Sequence, residues 1–298
     1  MPSELTVKTL DGCLFSNKAR RTILFSAFLL GGLVVILYGP VLRSMARQWW
    51  DDPNYGHALL VPIFAGYILW RKRNWWYTMH VRPSDFGLAI MLSAIGLLIL
   101  GVLGAELFTT RVSLLILISG TIVFLAGWRA LRSVAFPIAY LIFMIPLPAL
   151  VYYQMTFPLQ LWASRLGANG LVMLGVHTVR EGNLIILPNI TLEVVEACSG
   201  VRSLLSLLAA VVAYGYLAET SMWKRCLLVA LTIPIVILSN GLRLVAMGLL
   251  SAVYGLTVDT PPTHTALGLA FFAFAFISIV LIHLLLCNIS SRMTAPGY

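Results

Sequence analysis

Residues 196–202 read Glu-Ala-Cys-Ser-Gly-Val-Arg and open an apolar run that continues to residue 217. The segment sets a carboxylate, a thiol, a hydroxyl and a guanidinium at the mouth of a membrane-length stretch, where polar groups are costly unless they serve a purpose. Cys198 precedes Arg202 by four residues, a spacing that puts both on one face of a helix, and a nearby cation favours thiolate over thiol. Cys198 is therefore a candidate nucleophile, weighed against the ordinary fate of a free cysteine, which is to lie inert in an apolar core. Two later residues tip that balance: Arg243 in Ser-Asn-Gly-Leu-Arg, and His264 in Pro-Pro-Thr-His-Thr-Ala-Leu-Gly. A thiolate that attacks a carbonyl needs an imidazole to hold and pass a proton and a donor to stabilise the oxyanion, and this set supplies all three. Each also has a plainer reading: Arg243 as a guanidinium snorkelling to lipid headgroups, His264 as a helix-start residue facing them.

Those residues must be positioned by membrane helices. The chain has 298 residues, of which 60% are hydrophobic and 10% charged, and its mean hydropathy is +0.92. That is too apolar for a soluble domain. The apolar stretches are long enough for helices to cross about 30 Å of hydrocarbon, and the ten-residue alternation of barrel strands is not seen. An all-α polytopic protein is expected, with eight crossings over residues 22–42, 55–70, 86–104, 112–128, 134–151, 199–217, 226–253 and 265–287. It reads as a single integral membrane domain over 1–298, in which 1–21 form a cytoplasmic N-terminus and the first span is uncleaved. Residues 152–197 form an interfacial or re-entrant amphipathic segment on the outer side, and 198–287 carry the catalytic helices. Within the segment, 184–187 and 190–195 flank Pro188-Asn189 and predict a small β-hairpin leading to Cys198. The seventh span reads as broken at Pro234 and at Ser239-Asn240-Gly241.

The net charge of +9 reads as topology, not as nucleic-acid binding. With both termini inside, the runs around Lys18, Arg71, Arg129 and Lys224 all fall on the cytoplasmic side. Cys198, Arg243 and His264 then reach similar depth on the outer side, from three separate helices. Cys13, Cys226 and Cys287 map to the inner side, so Cys198 has no disulfide partner in its own compartment. His57 is either an interfacial histidine or a rim residue of the same site. His80 and His283 map on or near the inner side, and His177 belongs to the amphipathic segment. No HExxH, paired-cysteine motif or compact His/carboxylate cluster is present in the sequence, and no metal or other cofactor is expected. The main rival is a transporter or flippase for an exopolysaccharide precursor, whose best support is the broken seventh span with Arg243, a device common at midplane binding sites.

Taken together, Glu196-Ala197-Cys198-Ser199-Gly200 with Arg202, Asn240-Gly241-Leu242-Arg243, and His264 four residues before Gly268 resemble the exosortase and archaeosortase family of membrane cysteine peptidases and transpeptidases. Residues 50–70, with Asp52, Asn54-Tyr55, His57 and Leu60-Val61-Pro62 before Arg71-Lys72-Arg73, look like the N-terminal signature of its bacterial exosortase branch, with Gly56 where Ser is common. The resemblance implies a place in the bacterial inner membrane and, as substrates, exported proteins with a tripartite C-terminal sorting tail: a Pro-Glu-Pro-like motif (PEP-CTERM), one membrane span and a basic cluster. It implies Cys198 as nucleophile, Arg243 as electrostatic stabiliser and His264 as proton-transfer group. Glu196, Ser199, Arg202, Asn240 and His57 are expected to tune the site or bind substrate. Membrane lipids and an acceptor whose identity the sequence leaves open complete the expected partners.

Overall fold

Inside hydrocarbon the backbone must satisfy its own hydrogen bonds, and long apolar runs without strand alternation do so as helices. The computed structural model describes residues 3–74, 81–188, 190–194, 200–255 and 261–294. Among these residues lie nine helices and three short strands. The helices are α1 (Ser3–Asp51), α2 (Leu60–Arg71), α3 (Phe86–Leu103), α4 (Leu107–Ala126), α5 (Trp128–Tyr140), α6 (Ala149–Met173), α7 (Val201–Ala218), α8 (Met222–Tyr254) and α9 (Pro261–Thr294). Strands β1 (Val179–Glu181), β2 (Leu184–Ile186) and β3 (Thr191–Glu193) form one antiparallel sheet in the order β1-β2-β3.

Among the described residues, six helical stretches are long and apolar enough to cross a membrane: Phe28–Asp51 in α1, all of α3, α4 and α7, Met222–Val253 in α8 and Thr263–Ile289 in α9. Two of the eight expected crossings do not form single helices of spanning length. Over residues 55–70 the chain is first a 3-10 helix, Pro53–Leu59, and only then α2, whose 12 residues reach about 18 Å at ~1.5 Å per residue. Over residues 134–151, α5 gives way to a short 3-10 turn, and the chain is non-helical up to Pro148 before α6 begins. Pro146 and Pro148 lack the N–H that a continuing helix needs. The seventh expected span departs the other way: α8 is one continuous helix of 33 residues with Pro234 inside it. The break expected there does not occur. The expected hairpin is present as β2 and β3, with Ile185 opposite Leu192, and β1 extends it to three strands.

The chain divides into two compact units, residues 1–146 and 147–298. In the first, the Tyr38 hydroxyl meets the Ser113 hydroxyl at 2.8 Å between α1 and α4, and Trp49 donates its indole N–H to the carbonyl of Met144. In the second, α6 lies close against α8. A Cβ added at Gly167 would come within 2.9 Å of Leu244, one at Gly170 within 2.5 Å of Val245, and one at Gly248 within 2.6 Å of Leu171. Small residues let two membrane helices approach until dispersion contacts accumulate, which is the attraction that remains when both sides are already in oil. The sheet joins the same core, since Ile185, Leu187, Leu192 and Val194 pack with Leu171, Leu244 and Met247.

Candidate active site

Arg243 lies in the middle of α8 and is 5% exposed. Its Nη2 lies 2.8 Å from Nε2 of His264, 21 residues away on α9, and also approaches the His264 carbonyl at 3.4 Å. A guanidinium can only donate, so Nε2 is the acceptor and the ring, if neutral, carries its proton on Nδ1. The expected convergence of these two residues is thus present as a direct hydrogen bond. On α9, Gly268 follows His264 by one turn, and a Cβ there would sit 3.7 Å from the guanidinium carbon and nitrogens. The absence of a side chain at that turn keeps the flank of Arg243 open.

Two neighbours hold α8 in place. The Ser239 hydroxyl donates to the Phe271 carbonyl of α9 at 2.8 Å. Asn240, 5% exposed, lies against Gly200, where an added Cβ would meet the amide carbon and nitrogen at 3.2 Å. Gly200 caps α7 with φ +87°, a left-handed conformation open to glycine at little cost. That cap corrects one expectation. The helix expected from Ser199 begins at Val201, after the left-handed Gly200, and the common face expected for Cys198 and Arg202 involves a residue outside the described ones. Arg202 is exposed on α7.

A narrow cleft with room for about one water molecule lies among α7, α8 and α9. It is lined by Ser203, Ser239, Asn240, Arg243, Gly268 and Phe271, among others. A second small cleft shares Asn240 and reaches Gly200 and α6. Of the expected site residues, Arg243, His264 and Asn240 come together. Cys198, Glu196 and Ser199 lie outside the described residues, one to four positions before Gly200. His57 belongs to the first unit, half-buried in the 3-10 helix Pro53–Leu59. Ser239 and Gly268 have structural roles that sequence reasoning left unassigned. Their signal was a polar run inside an apolar helix and a glycine one turn from a candidate histidine.

A thiolate supplied to this neighbourhood would meet a buried guanidinium and an imidazole joined to one another, beside a narrow cleft. Polytopic helices and a buried Arg–His pair define a membrane enzyme candidate. The family model described as transmembrane exosortase matches residues 49–281, and the chain belongs to that family. Membership supports a membrane protein-sorting enzyme in general, acting on exported proteins. No curated protein and no solved structure matches the chain.

Proposed function

We propose that this chain is a cysteine peptidase or transpeptidase that cleaves the C-terminal sorting tail of exported proteins. The observation that carries the reading is the 2.8 Å contact between Arg243 and His264, one turn from the Asn240 against which Gly200 packs. Gly200 is two residues from Cys198, which ties the thiol-bearing segment to α8 by a short tether. The Cys198 thiolate attacks the carbonyl at the cleavage position. Nε2 of His264, released when Arg243 turns to the substrate carbonyl, takes the thiol proton and returns it to the leaving amine, while Arg243 neutralises the developing oxyanion. The resulting thioester is released to water or to an amine or hydroxyl acceptor. Glu196, Ser199 and Arg202 tune the entrance, and the sheet ahead of Cys198 grips the recognition motif in extended form.

The charge pattern supports eight crossings with both termini in the cytoplasm. With six crossings alone, Arg71–Arg73 and Arg129 with Arg132 would sit on the face opposite Lys224 and Arg225. Counting Pro53–Arg71 and the α5–α6 stretch as crossings brings all of these basic groups to one face, as the positive-inside rule requires. The reacting groups then face the exterior, where an exported substrate arrives. The continuity of α8 removes the broken helix on which a transporter reading rested.

The test is co-expression of the chain, intact or as Cys198→Ala, with a tagged protein bearing a Pro-Glu-Pro motif, one span and a basic cluster, followed by the product's mass. A shortened product only with Cys198 present supports the reading, and added mass identifies transfer. Equal processing by both forms removes Cys198 as nucleophile.

A further inference from the structure

A second cluster of reactive side chains lies in the same unit, among groups the peptidase chemistry does not use. Glu219 occupies the turn between α7 and α8, and His283 and Cys287 lie one turn apart on α9. Nε2 of His283 is 3.3 Å from Oε2 of Glu219. The Cys287 Sγ is 3.4 Å from that same Nε2 and 3.8 Å from Oε2. Glu219 and His283 are buried, 8% and 4% exposed, and Cys287 is half-buried.

The remaining atoms of these residues are already committed elsewhere. Oε1 of Glu219 accepts the backbone N–H groups of Thr220 and Ser221, both at 2.8 Å, which leaves Oε2 turned towards the histidine. Nδ1 of His283 lies 2.7 Å from the Tyr214 hydroxyl, so Nδ1 can donate to that oxygen while Nε2 offers its lone pair to the cluster. An imidazole fixed through its far nitrogen is the usual support behind a metal ligand.

We infer that Glu219, His283 and Cys287 form a divalent-metal site suited to Zn²⁺. Bonds of about 2.0–2.1 Å from nitrogen or oxygen and about 2.3 Å from sulfur, at tetrahedral angles, require ligand separations near ~3.3 Å for N to O and ~3.6 Å from sulfur to either. The observed triangle of 3.3, 3.4 and 3.8 Å has those dimensions before any rearrangement. One oxygen, one imidazole nitrogen and one thiolate are a borderline-soft set, which favours zinc over magnesium or calcium. Three protein ligands leave the fourth position for water. The opposing feature is Lys224, whose Nζ lies 3.5 Å from Oε2; its long stem lets the ammonium withdraw when a cation takes its place. The site would fasten α9 to the α7–α8 turn. Sequence spacing concealed it because the carboxylate lies far from the His-x-x-x-Cys pair, although that pair alone marks one face of a helix.

The experiment uses the full chain in detergent. Zinc-supplemented protein should carry about one Zn²⁺ per chain by elemental analysis, as three ligands on one chain predict. Metal-free protein titrated with Co²⁺ should develop thiolate-to-cobalt charge-transfer absorption. A variant with Cys287 as its only cysteine should keep that band, and Cys287→Ser should lose it at unchanged helical circular dichroism. Lys224→Gln should bind Co²⁺ more tightly than the parent. Absence of the band from the folded parent chain, its persistence in Cys287→Ser, or its absence from the Cys287-only chain overturns the assignment. The first and third of these readings do not depend on whether Cys287→Ser folds.

Discussion

Each of the two units buries an arginine in an apolar helix, and the two are held differently. Arg111, in the first turns of α4, is 3% exposed, and its Nε, like that of Arg243, has no hydrogen-bond partner among the described residues. The carboxylate of Glu106 lies close enough for the Arg111 charge to act on it, and Glu106 itself caps α4 by accepting the N–H groups of Phe108 and Thr109. Arg243 is as deeply buried but donates to an imidazole, which accepts the hydrogen bond without cancelling the charge. A cation set beside a carboxylate has an electrostatic partner in the resting protein. A cation joined to an imidazole keeps its field for an anion that forms during reaction. The difference teaches that burial alone does not distinguish the two arginines; the identity of the group beside each does.

The comparison breaks most visibly on removal of each guanidinium. Arg243→Ala or His264→Ala should lower tail cleavage on the order of 10²–10³-fold with helical content retained, the loss expected for an oxyanion donor or proton carrier. Arg111→Met should leave cleavage by the folded protein within a few-fold while lowering its stability, since removing one partner of a charge pair leaves the other uncompensated. The opposite ranking in a co-expression assay would assign the functional cation to the first unit.

Crowding sharpens the same contrast without removing charge. Gly268→Leu drives a branched side chain into the flank of Arg243 and should slow cleavage on the order of 10²-fold by displacing the guanidinium, whereas Gly268→Ala meets ordinary contact at 3.7 Å and should be mild. Single-turnover rates on a tail peptide would separate the two. Gly200→Ala forces a side chain into a left-handed residue and towards Asn240. It should cost roughly 1–2 kcal/mol, seen as a lower unfolding temperature in detergent together with slower cleavage.

The smallest effect belongs to the first unit. Partial burial pushes the Glu106 carboxyl up, but bonds from Thr109 and Phe108 and the Arg111 charge outweigh it, and its pKa lies below the usual carboxylate value. A group with a depressed folded pKa contributes stability above its unfolded pKa, near ~4.5, and loses it as pH falls through the folded value. Glu106→Ala should therefore cost about 1 kcal/mol at neutral pH and flatten the fall in stability below about pH 4.5. A parallel acid profile for both proteins would dissociate the cap from the charge.

The parts of this molecule legible in sequence were those carried by local pattern. Apolar length gave the helices around residues 86–104, 112–128 and 199–217, and alternating β-prone runs gave the hairpin. Polar residues inside apolar helices gave Arg243 and His264. Less legible was where helices stop. The prolines at 146 and 148 end a helix, whereas Pro234 sits inside one, because backbone groups freed by a proline can be re-satisfied by surroundings that sequence does not display. The start of α7 was misplaced at Ser199 because the left-handed φ of Gly200 has no signature beyond the residue type. The Glu219 cluster escaped because its members meet only after α9 returns beside α7 and α8.

The division into two units also fixes an order of events during synthesis. The first unit needs no residue beyond 146 to make its internal contacts, so it can pack while later helices are still being made. The Arg243–His264 pair cannot exist until α9 has been inserted, because the imidazole arrives on that helix. A nascent chain therefore carries Arg243 into the membrane before the imidazole that it bonds, and a chain arrested ahead of α9 lacks both that pair and the Ala275 and Ile279 side chains that complete the core with α7 and α8.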